Sequence, residues 1–342
     1  MFHKFIKEVK LSVIDFIKND YKFLVCVLLI SIICFYPVNY YIVTGGGISD
    51  IESRVRVKDG YSSDGSFNLS YVSETDGVIL TYLLSYIVPN WKRSSMDDYK
   101  YDSVDAVEDI LFRNKVSLDV ASSNAIKVAY EKAGKDITLN SSKTYVISVS
   151  HEFEECSLLV GDEIVEINNH KLNSTEYSEY INSLEENSII PIKVIRNGKE
   201  KILNTKVYKV DDRLVIGVYL MTVDSYETTP KTTIQFKSSE SGPSAGLMTA
   251  LEIYNQLVKK DITNGLKIAG TGTIDRKGNV GEIGEVKYKL LGAVKGGADI
   301  FIVPVGENYE TVKKVVKEEK LSIKVLAVST FDEALEKLSK LN

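Results

Sequence analysis

Histidine is almost missing from this chain of 342 residues: His3, His151 and His170 are all there is, and none lies beyond position 170. Cysteine is equally scarce, with Cys26, Cys34 and Cys156. So few Cys and His residues exclude a zinc site built on their clusters. Two of the cysteines fall within one apolar run, which leaves a single cysteine elsewhere and no internal disulfide there. Positive charge is not in excess, since the net charge is -5. A surface for nucleic acid has to be basic, so that partner is excluded. No repeat of fixed period is present. Nor is there a G-x-x-x-x-G-K-[ST] phosphate cradle: Gly134-Lys135-Asp136 lacks both the upstream glycine and the hydroxyl residue. Neither a cofactor nor a metal is implied.

What the chain does have, first, is an uncharged run from Phe23 to Val43, 21 residues long. About 20 residues cross the hydrocarbon core as a helix, and Tyr36, Tyr40 and Tyr41 stand at its far end, as interfacial aromatics do. A buried helix of a soluble domain and a cleaved signal peptide are the alternatives. Tyr36-Pro37-Val38-Asn39-Tyr40-Tyr41 offers no Ala-x-Ala cleavage pattern, which favours an uncleaved transmembrane anchor over 23–43. Lys4, Lys7, Lys10, Lys18 and Lys22 precede it. Positive charge stays cytoplasmic, so the bulk of the chain is expected outside the cytoplasm, attached to the cell membrane. Within 1–22, Phe2, Phe5, Ile6, Val9, Val13, Phe16 and Ile17 recur at helical spacing. That amphipathic face fits a membrane surface or a protein equally well.

Residues 44–117 read as largely irregular, with a strand over 66–72 and an apolar helix over 78–88. Residues 118–208 form a clearer unit. A helix over 122–133 precedes a strand over 144–149, and a helix is expected over 174–184. Asn197-Gly198 between 190–196 and 201–207 is a strong two-residue hairpin signal. The run from Leu158 to Asn168, L-x-x-G-D-x-I-x-x-I-N, and the closing V-I-R-N-G-K-E from Val194 to Glu200 resemble the second half of a PDZ domain. Such domains take an extended peptide as an added strand, often at a free carboxylate. The carboxylate-binding loop is not recognisable between Lys143 and Glu154. A spacer or a lid is the blander role for this module.

Gly242-Pro243-Ser244-Ala245-Gly246 carries the strongest chemistry. Small residues surround one serine, and Leu247 to Leu257 continues as a helix with Leu247, Ala250, Leu251 and Tyr254 on one face. A serine there sees the positive end of the helix dipole and unsatisfied amides, which suit a developing oxyanion. It is equally well placed to be an ordinary helix N-cap. The five residues also satisfy G-x-S-x-G, the nucleophile elbow of α/β-hydrolases. Those enzymes need a histidine after the serine, and this chain has none. A lysine base is the available solution. It serves only when neutral, which burial in an apolar site promotes. The candidates, Lys287 and Lys289, follow a glycine-rich turn and open a helix running to about Lys295, and spacing alone does not choose between them.

A resemblance chooses. G-P-S-A-G at 242–246, with T-G-T-I-D-x-x-G-x-V-x-x-I-G-x-x-x-x-K-L-L-x-A from Thr271 to Ala293, is similar to the proteolytic domain of Lon-type proteases. The likeness runs from about Thr232 to the C-terminus. It implies Ser244 as nucleophile and Lys289 as base, 289 − 244 = 45 positions apart. It also implies Thr271 as a hydrogen-bond partner of the lysine, and Gly242-Pro243 as scaffold of the oxyanion site. Two departures stand out: Glu285 replaces the second glycine before the lysine, and Ser241 stands where many Lon enzymes have Asp. Anchor, PDZ-like module and Lon-type domain in that order resemble the membrane-bound PDZ–Lon proteases of bacteria.

The expected fold is α+β: a cytoplasmic segment over 1–22, the anchor over 23–43, a region over 44–117, a PDZ-like β-rich module over 118–208 and an α/β Lon-type domain over 209–342. Strands over 299–304 and 323–328 alternate there with helices over 309–320 and 331–341. The resemblance implies an ATP-independent serine endopeptidase acting on extracytoplasmic peptides or extended segments, with a homo-oligomer as a further possibility the family raises. A catalytically silent PDZ adaptor and an elbow-type esterase are the rivals.

Overall fold

The computed structural model describes residues 2, 6, 16, 20–101, 105–153, 156–171 and 176–341. Most of the expected amphipathic stretch 1–22 lies outside them. The chain divides into two compact units, one of Met1–Thr44 with Ser73–Asp98 and one of Gly45–Val72 with Tyr99–Asn342.

In the first unit, helix α1 spans Tyr21–Cys34 and strand β1 starts at Pro37, running to Asp50. The single helix expected over 23–43 is therefore not formed. Pro37 disfavours a helical conformation in the residue before it and supplies no N–H, so the helix stops short of it. Val38, Tyr40, Tyr41, Ile42 and Val43, β-branched and aromatic, then extend as strand. At ~1.5 Å per residue α1 is about 21 Å long. Among the described residues no helix is long and apolar enough to cross a membrane. None of the α1 residues is buried. The unit also contains the end of strand β3, helix α2 (Ile79–Leu84) and strand β4 (Lys92–Ser95), which pairs antiparallel with β1 from Tyr40–Ser95 to Val43–Lys92.

The second unit holds the rest. Strand β2 (Val55–Val57) precedes β3 (Ser66–Val78), whose first residues pair in parallel with strand β13 (Lys267–Gly270). Residues 44–117 are thus neither irregular nor a separate region: β2 and the first part of β3 belong to the C-terminal core. The long helix α3 covers Val107–Ala133 and ends on left-handed Gly134. Its Ala125, Val128, Ala129 and Tyr130 share one buried cluster with Phe67, Leu247, Leu251 and Ile268. Helix α3 therefore packs into the catalytic half as well as touching the β-rich module, where Arg113 Nε donates to the Ile147 carbonyl at 3.1 Å.

That module is a five-stranded sheet ordered β11-β5-β6-β7-β8: β5 (Asp136–Val149), β6 (Glu163–Ile167), β7 (Ile189–Arg196), β8 (Lys199–Lys206) and β11 (Val218–Thr229). Short helix α4 (Glu176–Asn182) contributes Tyr177 and Ile181 to its core, beside Val146, Ile164 and Ile192. Asn197 and Gly198 both have positive φ, as a type I′ hairpin requires. Strand β11 lies beyond the expected limit at 208, because its pairing with β5 is non-local and leaves no mark in the sequence. Short β9 (Tyr208–Val210) and β10 (Arg213–Val215) pair with each other on the way to β11.

Strand β12 (Thr232–Ile234) pairs with β2, and then α5 (Gly246–Leu257), β13, β14 (Thr273–Ile274), β15 (Val280–Gly281), α6 (Val286–Lys295), β16 (Ile300–Pro304), α7 (Glu307–Glu318), β17 (Lys324–Val328) and α8 (Phe331–Ser339) follow. Strands β17, β16, β13 and β3 are neighbours and all parallel. Helices cross between parallel strands, the layered arrangement expected of α/β units. The five residues of β16 are all buried, as a central parallel strand demands.

Candidate functional site

Pro243, Ser244 and Ala245 form one 3₁₀ turn directly ahead of α5. Proline fits the first helical position, where its missing N–H is not needed. Gly242 has φ +89°, a conformation closed to most side chains, and its N–H donates to the Asn114 carbonyl of α3 at 2.9 Å. Gly246 is fixed for another reason. A Cβ there would come within 2.8 Å of Ile274 Cγ2 and 3.1 Å of its backbone nitrogen.

The turn is held from its other side by the segment leaving β13. Gly272 N–H donates to the Ser244 carbonyl at 3.0 Å, and the Thr271 hydroxyl donates to it at 3.3 Å. Leu247 N–H returns a bond to the Gly272 carbonyl at 3.1 Å. Thr271 itself is anchored by its N–H to the Ile302 carbonyl of β16. Gly270 has no room for a side chain, since a Cβ would meet Met248 Sδ at 2.5 Å and the Ile302 carbonyl at 2.9 Å. The close fit explains why the strand must end in glycine.

Lys289 approaches from α6. Its side chain is buried at 7% exposure, and Nζ lies 2.8 Å from Ser244 Oγ and 3.4 Å from Thr271 Oγ1. Lys287 is directed elsewhere, its Nζ 5.8 Å from the Tyr288 ring centroid. The structure thus brings together Ser244, Lys289 and Thr271, with Gly242 and Pro243 shaping the turn. The Lys289 carbonyl accepts the Ser70 hydroxyl of β3. Upstream, Asn308 of α7 grips both backbone groups of Ile283, at 2.8 and 2.9 Å.

Glu285, the departure noted in the sequence, adopts the left-handed conformation with φ 59° and caps α6 through its carbonyl, which accepts from Tyr288 and Lys289 N–H. A glycine belongs there on conformational grounds. Glu285→Gly is expected to raise the unfolding free energy by ~0.5–1 kcal/mol, after the offset from a freer unfolded chain. Thermal denaturation of the two proteins side by side measures it, and an unchanged or lowered midpoint counts against the strain.

Several supporting groups were not visible in the sequence. Arg54, in the turn before β2, makes a two-pronged ion pair with Glu240, its Nε and Nη2 2.7–3.1 Å from the carboxylate oxygens. Glu240 also accepts the Lys237 N–H at 2.7 Å. Burial raises the Glu240 carboxyl, but the hydrogen bonds from Arg54 and Lys237 and their charges outweigh it and leave it below its ordinary value. The loop leading to the serine turn is therefore tied to a residue almost 190 positions earlier. The second missed feature is β11, the last strand of its sheet, bonded to β5 on one side.

Residues 237–340 match the family model of the Lon protease (S16) C-terminal proteolytic domain, and residues 128–207 match that of the PDZ domain. Among relatives, Lon protease of Neorickettsia sennetsu is 35% identical over 98 residues, 29% of this chain and 12% of its own length. Lon protease of Campylobacter jejuni is 31% identical over 137 residues, 37% of this chain and 16% of its own. The match thus spans under a fifth of either relative. Among solved structures, the PDZ domain of the SdrC-like protein from Listeria monocytogenes is 22% identical. It covers 24% of this chain and 92% of that one, with a TM-score of 0.22. The chain carries a Lon-type proteolytic domain and a PDZ domain.

Proposed function

We propose that the chain is a serine endopeptidase with Ser244 as nucleophile and Lys289 as general base, acting without ATP on extended polypeptide outside the cytoplasm. The observation that carries this is the 2.8 Å approach of a buried lysine Nζ to Ser244 Oγ. An amine takes a proton only in its neutral form, which burial favours. Neutral Lys289 accepts the Ser244 hydroxyl proton as Oγ adds to the scissile carbonyl. Ser244 and Ala245 N–H groups begin a helical turn, so no preceding turn offers them a carbonyl, and they face the developing oxyanion. Thr271 Oγ1 holds the lysine in reach. The ammonium then delivers its proton to the leaving amine, an acyl-enzyme remains, and Lys289 deprotonates the water that releases it.

Without a phosphate cradle the chain has no means to unfold its substrate, so the polypeptide must arrive extended. The outer edge of β11 suits such a segment as an added strand, and we assign the PDZ domain to substrate docking. Membrane attachment is supported by α1, unburied and apolar from Phe23 to Cys34, and a catalytic domain outside the cytoplasm by the lysines that precede this run. Full-length protein in detergent, given an unstructured polypeptide with a fluorophosphonate probe as competitor, tests the reading. Cleavage without nucleotide, with the probe on Ser244 only when Lys289 is present, is expected. An adaptor would leave the probe unreacted, and an esterase would hydrolyse esters but not the polypeptide.

A further inference from the structure

Between β3 and β4 the chain makes an excursion that the chemistry of Ser244 does not use. From Gly77 to Trp91, fifteen residues carry no charge, and the next two are Lys92 and Arg93. Within it α2 and the turn after it leave large apolar side chains in the open: Leu83 at 56%, Tyr86 at 64% and Ile87 at 79% exposure. A soluble surface does not ordinarily gather such side chains without polar neighbours. The excursion is nonetheless well built. Thr81 Oγ1 accepts the Val78 N–H at 3.0 Å, closing the helix start. Arg93 reaches back from β4 to donate to Ser85 Oγ at 3.1 Å, and its guanidinium stacks 3.6 Å from the Tyr86 ring centroid. Tyr82 joins this cluster, 5.2 Å from Tyr40 and 5.8 Å from Tyr86, centroid to centroid.

An apolar tip, a ring of tyrosines with one tryptophan, and basic residues behind them is the order of groups that a bilayer interface selects along its depth. The order of charge fits as well: Lys92 and Arg93 directly follow the apolar run, where basic residues meet anionic headgroups. The patch is continuous with α1, because Ile79 N–H donates to the carbonyl of Tyr36, just beyond the apolar helix. We propose that residues 79–91 are a second lipid-contacting element, resting in the interface of an anionic bilayer beside α1. This rests on the membrane attachment proposed above. Two contacts make attachment firmer than either alone, and they fix the orientation of the unit on the surface as well as its distance from it.

Trp91 is the only tryptophan of the chain and makes the test direct. The full chain is reconstituted into vesicles of phosphatidylcholine and phosphatidylglycerol, with and without lipids brominated near the headgroup end of their acyl chains. Trp91 emission is expected to shift to the blue and to be quenched by the brominated lipid. In the Leu83→Asp, Ile87→Asp double variant the quenching is expected to fall, while the protein still floats with the vesicles. Flotation with no bromine quenching in the parent chain overturns the second contact and leaves attachment through α1 standing. Trp91 shielded from aqueous iodide yet unquenched by bromine overturns it in favour of a protein occupant. Failure to float at all overturns both readings.

Discussion

Replacing Ser244 by alanine is expected to lower kcat for peptide hydrolysis by at least ~10⁴-fold while leaving the fold intact, and Lys289→Met is expected to do the same. The two should not add, because nucleophile and base form one unit: the double variant should be no slower than either single one within error. Lys289→Arg tests the reason. Arginine keeps a cation at the site but stays protonated, so it cannot accept the Ser244 proton and should be as inactive as methionine. Thr271→Val removes a hydrogen bond to Nζ without touching the nucleophile. Its loss should be milder, about tenfold, as one such bond is worth. Single-turnover kinetics on the five purified variants and the parent decide the matter. A Lys289→Met protein retaining more than a few per cent of the activity would mean that another group deprotonates Ser244.

The largest expected effect on stability belongs to Arg113. It is paired with Asp105 at 2.6 Å, with both side chains at 4% exposure or less. Its Nε also donates to the Ile147 carbonyl of β5 at 3.1 Å, and the Tyr101 ring covers its guanidinium at 3.8 Å. Arg113→Met keeps the bulk of the side chain but takes the cation from a buried carboxylate, which retains the Tyr101 N–H at 2.8 Å, and breaking such a pair costs ~3–5 kcal/mol. Adding Asp105→Asn to the same chain removes the uncompensated charge and should recover a good part of that. Urea denaturation in detergent, followed by circular dichroism, reads both numbers. A single variant losing less than ~1 kcal/mol, or a double variant no better than the single, would show that the pair contributes little.

The catalytic half was legible because its signals are local. The helix after Ser244, the glycine-rich turn before Lys289, and the strands at 300–304 and 324–328 follow from periodicity within a dozen residues. Lys289 was separable from Lys287 only through the resemblance to Lon-type domains, and burial supplies the physical reason: one lysine is covered and aimed at Oγ, the other turns toward Tyr288. The apolar run at 23–43 misled because composition outweighed Pro37, whose effect on the preceding turn is stronger than hydropathy. Strand β11 and the contribution of β2 and β3 to the catalytic core were illegible for another reason. Each is made by pairing across a long stretch of chain, and no window of sequence contains both partners. Arg54 with Glu240, and Asn114 with Gly242, belong to the same class.

The parallel pairing of β3 with β13 carries a consequence for the order of events during synthesis. Asn68 hydrogen-bonds to the Ile268 carbonyl, 200 residues further on. The ribosome therefore releases β3 long before its partner exists, whereas β5 to β8 follow one another closely and complete most of their sheet as they emerge. Closing so long a loop is slow, and the exposed strand must wait for the last quarter of the chain. The serine turn is assembled only when β13 docks, since Thr271 and Gly272 hold it. The turn that carries Ser244 is therefore ordered only after residues 267–272 have emerged, about 200 residues behind β3.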